Sequence, residues 1–384
     1  MKNITKEGLF RLFRRNSQND LFNIKVSFPY VEQNLYIGNK ISDFIAEKIS
    51  LKKYDKVVAI VDSKLYEKKK EYLDPIFNKL NIVDLIFLES KEANKNFVYC
   101  DKILSQLSKL GINRKSCLLA IGGGYVGDVV GFTSSVYMRG IDFVQIPTTL
   151  MSMSDAVMGK VAINNNGKKN LLGSFYSPRF TFCDTSLLET SNKKDIVFGL
   201  VEIWKHSLLD GDTKMESKIS EYLKGPQAHS EKILLELIKF SLEAKKKYTQ
   251  NDHNDTKGLH KALSLGHTFA NYLESKIGIS HGPAVSYGLI LVFLMSYKLK
   301  KIPKSSFDRF MEVSRLFEKE IQILKEVQSH INIDDALLLL KFDKINSGDT
   351  YSFVLLKDNG FFVCKNVSID ILKEGLNDLK NLTI

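Results

Sequence analysis

The stretch AIGGGYVGDVVGF, residues 120–132, decides the fold class of this chain. A run of apolar residues, typical of a buried strand, leads directly into Gly122, Gly123 and Gly124, and a helical pattern follows. Glycines let the backbone turn tightly and approach a ligand, and the free N–H groups at a helix start bind phosphate. The stretch therefore favours a dinucleotide-binding α/β domain, although its spacing differs from the GxGxxG fingerprint. A plain strand-to-helix turn is the alternative.

Short apolar runs and helical patterns alternate on both sides of this stretch, which predicts a parallel sheet covered by helices. From about residue 190 amphipathic helices dominate, and one late strand-like pair at 352–364 interrupts them. We therefore expect an N-terminal extension at 1–24, a Rossmann-like α/β domain at 25–190 and a helical domain at 191–384. The predicted strands are 56–62, 83–89, 116–124, 143–147 and 180–184, and the predicted helices are 93–109, 126–137, 194–210, 231–249, 259–276, 284–299 and 305–329.

The composition is that of a soluble globular protein with 44% hydrophobic and 26% charged residues. Four scattered cysteines, without a CxxC spacing, are typical of reduced thiols in the cytoplasm. The net charge of +11 comes from dispersed lysines, so an anionic substrate is favoured over nucleic acid. The longest apolar run, 289–295, is far too short to span a membrane.

Four residues of the second half suggest a metal site. Glu202 and Lys205 are three apart on an apolar helix, so they share a face that is expected to be buried and to need partners. His267 and His281 each stand beside a glycine, fourteen positions apart. One carboxylate and two imidazoles form the ligand set of a catalytic Zn²⁺ with open positions. Core or surface histidines near glycines are the alternative, and structural packing is expected for His206, His229, His253 and His330.

Five blocks of the chain resemble the 3-dehydroquinate synthase family and its sugar-phosphate cyclase relatives in order and spacing. The resemblance covers roughly residues 25–365. The blocks are GGGYVGDVVGFTSSVYMRGIDFVQIPTTLMSMSDAV, GKVAINNNGKKNLLGSFYSPR, GLVEIWKHSLL, LSLGHTF and HGPAV.

The resemblance implies a cofactor set of NAD and Zn²⁺ (or Co²⁺). The family's metal ligands match Glu202, His267 and His281. The positions that bind NAD match residues of the α/β half, with Asp128 one turn into the helix after the glycines. These are Asp62, Glu92, Lys95, Gly122, Gly123, Gly124, Asp128, Thr148, Thr149, Lys169, Asn170 and Thr190.

The resemblance also implies the reaction and the residues that face the substrate. A phosphorylated keto-sugar is oxidised at one hydroxyl, loses phosphate, is reduced again by the same cofactor, and closes a carbocycle by an aldol step. Arg139 matches an arginine that reaches the phosphate site of a neighbouring subunit, which implies a homodimer. The matching catalytic positions are Asp155, Lys160, Lys205 and Lys246, and the substrate-binding positions are Arg139, Lys160, Asn170, His260, Ser264, Asn271 and Lys344.

Several substrate-facing positions depart from the family pattern. His260 replaces an arginine that grips an anionic substrate, and a neutral imidazole does not reproduce its bidentate contact. Ser264 replaces an asparagine, Asn271 a histidine, and Pro283 a glutamate, the proline being suited to the first position of a helix. The segment from Asp155 to Lys160 is one residue short, and Ile345 follows Lys344 where the family has a second lysine.

These departures leave four functions open. The first is the 3-dehydroquinate synthase reaction itself. The second is a paralogous cyclase whose substrate lacks a carboxylate, like the enzymes that make 2-deoxy-scyllo-inosose or 2-epi-5-epi-valiolone. The third is a metal-dependent polyol dehydrogenase of the glycerol dehydrogenase type, and the fourth is an inactive NAD-binding paralogue.

Overall fold

Seven of the strands in the described part of the chain form one twisted sheet. The computed structural model describes residues 21–28, 31–155, 158–225, 230–252, 258–341, 351–358 and 360–383. All neighbours in the sheet are parallel except its first two strands, which form an antiparallel hairpin at one edge. The strands are β1 Phe22–Phe28, β2 Val31–Gly38, β3 Val57–Asp62, β4 Asp84–Leu88, β5 Cys117–Gly122, β6 Asp142–Pro147, β7 Val161–Asn165, β8 Lys168–Ser174, β9 Phe180–Asp184, β10 Tyr351–Leu356 and β11 Phe361–Val367.

The order of the sheet, β1-β2-β9-β6-β5-β3-β4, contains a switch point between β3 and β5. From β3 the chain continues to β4 on one side, whereas from β5 it continues to β6 on the other. A crevice opens at such a point outside the carboxyl ends of the strands, and ligands of open α/β sheets bind there. The stretch 120–132 lies at this crevice, because it is the end of β5 and the beginning of the next helix.

Helices cover the sheet and build the second half of the chain. None of the described helices is both long and apolar enough to cross a membrane. Short 3₁₀ turns lie at Glu92–Asn94, Tyr137–Arg139, Thr185–Thr190 and Leu259–Ser264. The α-helices are α1 Ser42–Ser50, α2 Ser63–Leu80, α3 Phe97–Lys109, α4 Gly124–Val136, α5 Leu150–Ser154, α6 Lys193–Asp210, α7 Thr213–Lys224, α8 Ser230–Thr249, α9 His267–Lys276, α10 His281–Lys298, α11 Lys304–Ile321, α12 Leu324–His330, α13 Ile333–Leu340 and α14 Ile369–Lys380.

One continuous apolar core joins a face of the sheet to the helical half, with Phe182 of the sheet and Trp204 of α6 both buried in it. A smaller core lies on the other face of the sheet, beneath α3 and α4. The fold class expected from the sequence, a parallel-sheet α/β half followed by a helical half, is confirmed. The five predicted strands are confirmed to within two residues at their ends.

Four features differ from the sequence-based expectation. Strand β1 begins at Phe22, inside the segment expected to be an extension, and the hairpins β1–β2 and β7–β8 were not predicted. The single helix predicted at 305–329 is two helices, because Gln322 between them adopts the left-handed conformation. Pro283 is the third residue of α10 instead of its first, although it still lies in the first turn, where the N–H has no helical acceptor.

The single helix predicted at 259–276 is also wrong, and the reason bears on the site. Gly266 has a φ of +78°, which ends the 3₁₀ turn Leu259–Ser264 and lets α9 begin at His267. The turn passes against α10 so closely that a Cβ on Gly288 would lie 1.9 Å from the carbonyl oxygen of Gly266. A glycine is therefore required at Gly288, and the close approach brings the beginnings of α9 and α10 together.

We expect Gly288→Ala to lower the free energy of unfolding by about 3 kcal/mol, because the new methyl group meets backbone that has no rotamer with which to move away. Gly375→Ala in α14 is the matched control, since its methyl group meets only flexible ends of Leu291 and Met295 at 3.1 Å. The gain in helix propensity should keep its effect within about 1 kcal/mol. Denaturant unfolding measures both variants, and equal losses would contradict the close approach.

Candidate active site

A cavity of about 540 Å³ opens between the hairpin β7–β8 and the helical half. It has a markedly cationic lining, with Lys160, Lys205, Lys245 and Lys261. Most of the residues predicted for catalysis or substrate binding meet here, although they come from six separate parts of the chain. The predicted residues that line it are Asp128, Asp155, Lys160, Asn170, Lys205, His260, Ser264, His267 and Asn271.

Glu202, His267 and His281 converge beside this cavity. Glu202 Oε1 lies 3.6 Å from His267 Nε2 and 3.3 Å from His281 Nε2, and the two imidazole rings are 5.2 Å apart. One ligand atom from each residue lies within 4.8 Å of the other two. Both histidines are the first residues of their helices, so the close approach of α9 and α10 aligns them.

The residues fit a divalent ion. Glu202 is fully buried, and within the described part of the chain neither of its oxygens accepts a hydrogen bond of normal geometry. Such a group needs a nearby positive charge. Burial and the Lys205 ammonium lower the pKa of His267 to about 4, so its ring is in the neutral form that binds metals. Despite burial, Glu202 and Glu274 raise the pKa of His281 to about 10, so a divalent ion would have to displace a proton from that ring. The carboxylate and two imidazoles leave positions for a substrate oxygen, as in catalytic zinc sites.

Lys205 balances part of the charge on Glu202, with its Nζ 2.5 Å from Oε2. Burial alone would raise the pKa of the Glu202 carboxyl, but Lys205, His267 and His281 hold that pKa well below its usual value. The i,i+3 pair is therefore buried, as the apolar flanks of α6 predicted, and the Glu202 carboxylate is ionised.

Outer contacts orient both imidazoles. His267 Nδ1 is 3.1 Å from the carbonyl oxygen of Leu265, and His281 Nδ1 is 2.7 Å from Glu274 Oε1. These contacts turn Nε2 of each ring towards Glu202, and they are the partners that metal-binding histidines usually have. The other oxygen of Glu274 accepts a hydrogen bond from Lys169 Nζ at 2.5 Å. Glu274 was not predicted from the sequence, although its position seven residues before His281, in the last turn of the preceding helix, offered a weak signal.

The predicted NAD-binding residues gather around the crevice between β3 and β5. Asp62 ends β3, where its carboxylate accepts a hydrogen bond from the N–H of Leu65. Gly122, Gly123 and Gly124 lead from β5 into α4, and the Gly123 cap has no side chain to occupy the free N–H groups. Thr148 and Thr149 follow β6, the adjacent strand.

A polar network connects this crevice to the cavity, and Lys95 is its buried member. Lys95 Nζ lies 2.6 Å from Asp128 Oδ2 and donates a 2.7 Å hydrogen bond to Asn170 Oδ1. Glu92 accepts a hydrogen bond from Asn164 of the same hairpin at 2.7 Å. The β7–β8 hairpin is thereby tied to the beginning of α4, with Asp128 and Asn170 lining the cavity. Lys169, the neighbour of Asn170 in β8, pairs with Glu274. The predicted positions Glu92, Lys95, Asp128, Lys169 and Asn170 therefore belong to one connected region.

The structure places Lys246, which was predicted to be catalytic, away from the cavity. It lies beside Asn23 and Lys25 of β1, outside the cavity. The preceding residue, Lys245, lies in the cavity instead, where its Nζ is 3.1 Å from Asp155 Oδ1. Successive residues of a helix point about 100° apart, so in a run of three lysines the sequence pattern did not determine which one faces inward.

Three predicted residues lie apart from these groups. The Thr190 hydroxyl donates a hydrogen bond to the carbonyl of Leu187 at the end of a 3₁₀ turn. Arg139 lies on an exposed turn in which it and Met138 both have positive φ. Lys344 lies outside the described residues.

The fold and the site define an enzyme class in which an α/β nucleotide-binding half faces a helical half with a His₂Glu metal site. The family model for the N-terminal part of 3-dehydroquinate synthase matches residues 85–197, and that for the C-terminal part matches residues 199–346. The chain belongs to the 3-dehydroquinate synthase family.

Curated relatives and solved structures are similar over most of the chain. A 3-dehydroquinate synthase of Staphylococcus haemolyticus is 31% identical over 350 residues, 91% of this chain and 95% of the relative. One of Leptospira interrogans is 34% identical over 345 residues, 88% and 92% of the two chains.

The structures include a 2-epi-5-epi-valiolone synthase of Streptomyces hygroscopicus with NAD⁺ and Zn²⁺ bound (TM-score 0.82, 20% identity, 92% and 98% coverage). A 2-deoxy-scyllo-inosose synthase with carbaglucose-6-phosphate, NAD⁺ and Co²⁺ is also similar (TM-score 0.78, 24% identity, 93% and 99% coverage). The predicted cofactors, NAD with Zn²⁺ or Co²⁺, are thus those found in these two structures.

We expect Glu274→Gln to weaken metal binding about 10- to 100-fold, because an amide holds the His281 imidazole less firmly and makes it a weaker ligand. Competition against a chromophoric chelator, with Co²⁺ as the added ion, measures the affinity directly. Glu320→Gln is the control, since Glu320 pairs with Lys193 and is not one of the metal-site residues. A Glu274 variant that binds Co²⁺ as tightly as the wild type would contradict the orienting role.

Proposed function

We propose that this protein catalyses the 3-dehydroquinate synthase reaction, in which a phosphorylated keto-sugar that carries a carboxylate loses inorganic phosphate and closes into a carbocycle. One observation carries the proposal. The cluster Glu202, His267 and His281 adjoins a lysine-lined cavity, which the β7–β8 hairpin connects to the NAD crevice. A cationic cavity suits a substrate with phosphate and carboxylate groups.

The chain's own residues bind and orient the substrate in this proposal. Lys160 and Lys245 stand in the cavity as phosphate-binding cations, and Lys205 holds Glu202 in its ionised form. Glu202, His267 and His281 hold the divalent ion. When bound, that ion lowers the pKa of a substrate hydroxyl, and NAD⁺ accepts and returns one hydride. Asp155, held by Lys245, is positioned to accept and return a proton at the substrate.

We also propose that the enzyme works as a homodimer in the cytoplasm. Arg139 supports the dimer, because it lies on an exposed turn whose strained backbone, with φ of +49° at Met138 and +67° at Arg139, is typical of functional sites. Val136 and Met138 expose apolar side chains beside it. The buried, unpaired thiols of Cys100, Cys117 and Cys183 support a reducing compartment.

A cyclase whose substrate lacks a carboxylate is the second candidate. The observation that favours it is the part of the cavity formed by His260, Ser264 and Asn271, which contains no arginine. A polyol dehydrogenase has no use for four lysines in the cavity. Maleylacetate reductase and iron-containing alcohol dehydrogenase structures resemble this chain in fold alone.

The test is phosphate release by the purified protein with NAD⁺ and Co²⁺. The substrates are a seven-carbon 2-keto sugar acid phosphate, sedoheptulose 7-phosphate and glucose 6-phosphate. We expect release only with the acid and no net accumulation of NADH, because the cyclase returns its hydride. Release with a neutral sugar phosphate would favour the second candidate, whereas net NADH with a polyol would indicate a dehydrogenase. Release from none of the substrates, by protein loaded with metal, would contradict the cyclase.

We expect Lys245→Met to lower kcat/KM at least about 100-fold, because it removes a cavity cation and leaves the Asp155 carboxylate without its ion pair. Lys246→Met, one residue away and outside the cavity, should remain within about twofold of the wild type. Thermal unfolding and metal content are measured for both variants so that a folding defect is recognised. A larger loss in the Lys246 variant would show that the opposite side of α8 carries the function.

A further inference from the structure

His206 is fully buried next to Lys205, and nothing in the site described above uses it. Its Nδ1 lies 2.7 Å from the hydroxyl oxygen of Ser241, one helix away. Its other ring nitrogen, Nε2, is buried and has no hydrogen-bond partner among the residues that the structure describes. An unpartnered polar atom in a well-packed core calls for an explanation.

The contacts of Ser241 determine which ring nitrogen carries the proton. The Ser241 hydroxyl donates a hydrogen bond to the carbonyl oxygen of Ser154 at 3.3 Å, so its oxygen accepts from His206 Nδ1–H. Nε2 therefore presents a lone pair. Burial and the Lys205 ammonium lower the pKa of His206 to about 3, so the ring is neutral.

The Nε2 lone pair faces Asp155, whose Oδ1 is 3.9 Å away. The same oxygen accepts from Lys245, and Asp155 lines the cavity on its other side. While the Asp155 carboxylate is ionised it has no proton to donate, so the Nε2 lone pair cannot form a hydrogen bond with it. It becomes a hydrogen-bond acceptor once Asp155 carries a proton, and catalytic hydrogen bonds are often long before the substrate is bound.

We propose that His206 is a positioning residue for Asp155: when Asp155 takes a proton from the bound substrate, its new hydroxyl donates a hydrogen bond to His206 Nε2. A substrate O–H or C–H bond breaks, its electron pair stays on the substrate, and the proton forms an O–H bond on Asp155. The imidazole itself stays neutral, and Asp155 returns the proton later in the cycle. This inference rests on the proposed function.

A second cation site is the competing explanation, since ligand atoms of Asp155, Glu202 and His206 lie within 4.8 Å of one another. The ammonium groups argue against it. Lys205 and Lys245, from α6 and α8, already pair with the two carboxylates. A divalent ion there would have to displace Lys245 from Asp155 and compete with the His267–His281 cluster for Glu202, so the acceptor role is the one that the charges favour.

The test compares His206→Asn with His206→Gln. The asparagine amide reaches the position of Nδ1 and keeps the contact with Ser241, whereas the glutamine amide reaches the position of Nε2 and retains an acceptor for Asp155. We expect the Asn variant to lose at least about tenfold in kcat with KM within about twofold, and the Gln variant to stay within about threefold. Ser241→Ala should also lower kcat. Without the Ser241 hydroxyl, Nδ1–H has no acceptor, so the ring changes to the tautomer that is protonated at Nε2. That tautomer donates to the ionised Asp155 and cannot accept from its protonated form.

Metal content, NAD binding and thermal unfolding accompany the kinetics. Equal kcat in all variants would overturn the inference. Equal losses of kcat in the Asn and Gln variants, in proportion to their losses of stability, would also overturn it, because packing alone would then explain them. Should the Asn variant fail to fold, Ser241→Ala and His206→Gln still decide: kcat must fall in the first and be retained in the second. No phosphate release by the wild type would overturn the proposed function and this inference with it, whereas an active wild type with active variants would overturn the inference alone.

Discussion

The buried carboxylate of Glu202 is the constraint on which the rest of the site depends. A fully buried negative charge is stable only beside positive charge, and removing water from it costs several kcal/mol unless partners replace the water. Lys205 supplies one partner from the same helix face. The remaining oxygen is directed at two imidazoles whose outer nitrogens are held by Leu265 and Glu274, an arrangement that a divalent cation would complete.

The convergence of the two imidazoles is a consequence of backbone packing. Each histidine begins a helix, and the two helix beginnings meet because Gly288 lets the turn at Gly266 approach without a side chain between them. The glycine next to each histidine in the sequence therefore has a structural meaning. A glycine at this point lets a helix begin close to another backbone, because it has no side chain to keep the two apart. Two ligands that are fourteen residues apart can then reach the same ion.

Local patterns were sufficient to predict the parallel sheet and most helices, because buried strands and the glycine loop have strong short-range signals. Glu202, His267 and His281, which the structure brings together, were singled out by their residue types and by the family resemblance. They were insufficient wherever the decision was tertiary. Gly266 broke an apparently continuous helical pattern through a left-handed turn, and Lys245 and Lys246 are chemically identical neighbours that only the packing of α8 separates. Glu274 and His206 gained their importance from partners far away in sequence, so neither could be distinguished from an ordinary surface acid or core histidine.

Two ion pairs side by side, Glu202–Lys205 and Asp155–Lys245, give one small region alternating charges. Each lysine lowers the pKa of its carboxylate, which is therefore ionised before a metal ion or a proton arrives. The region can therefore hold a divalent cation on one side and a phosphate ester on the other without an uncompensated charge in the protein itself. A reaction that moves protons and expels phosphate within a single cavity needs that arrangement, because groups fixed before the substrate arrives do not have to reorganise as its charge develops.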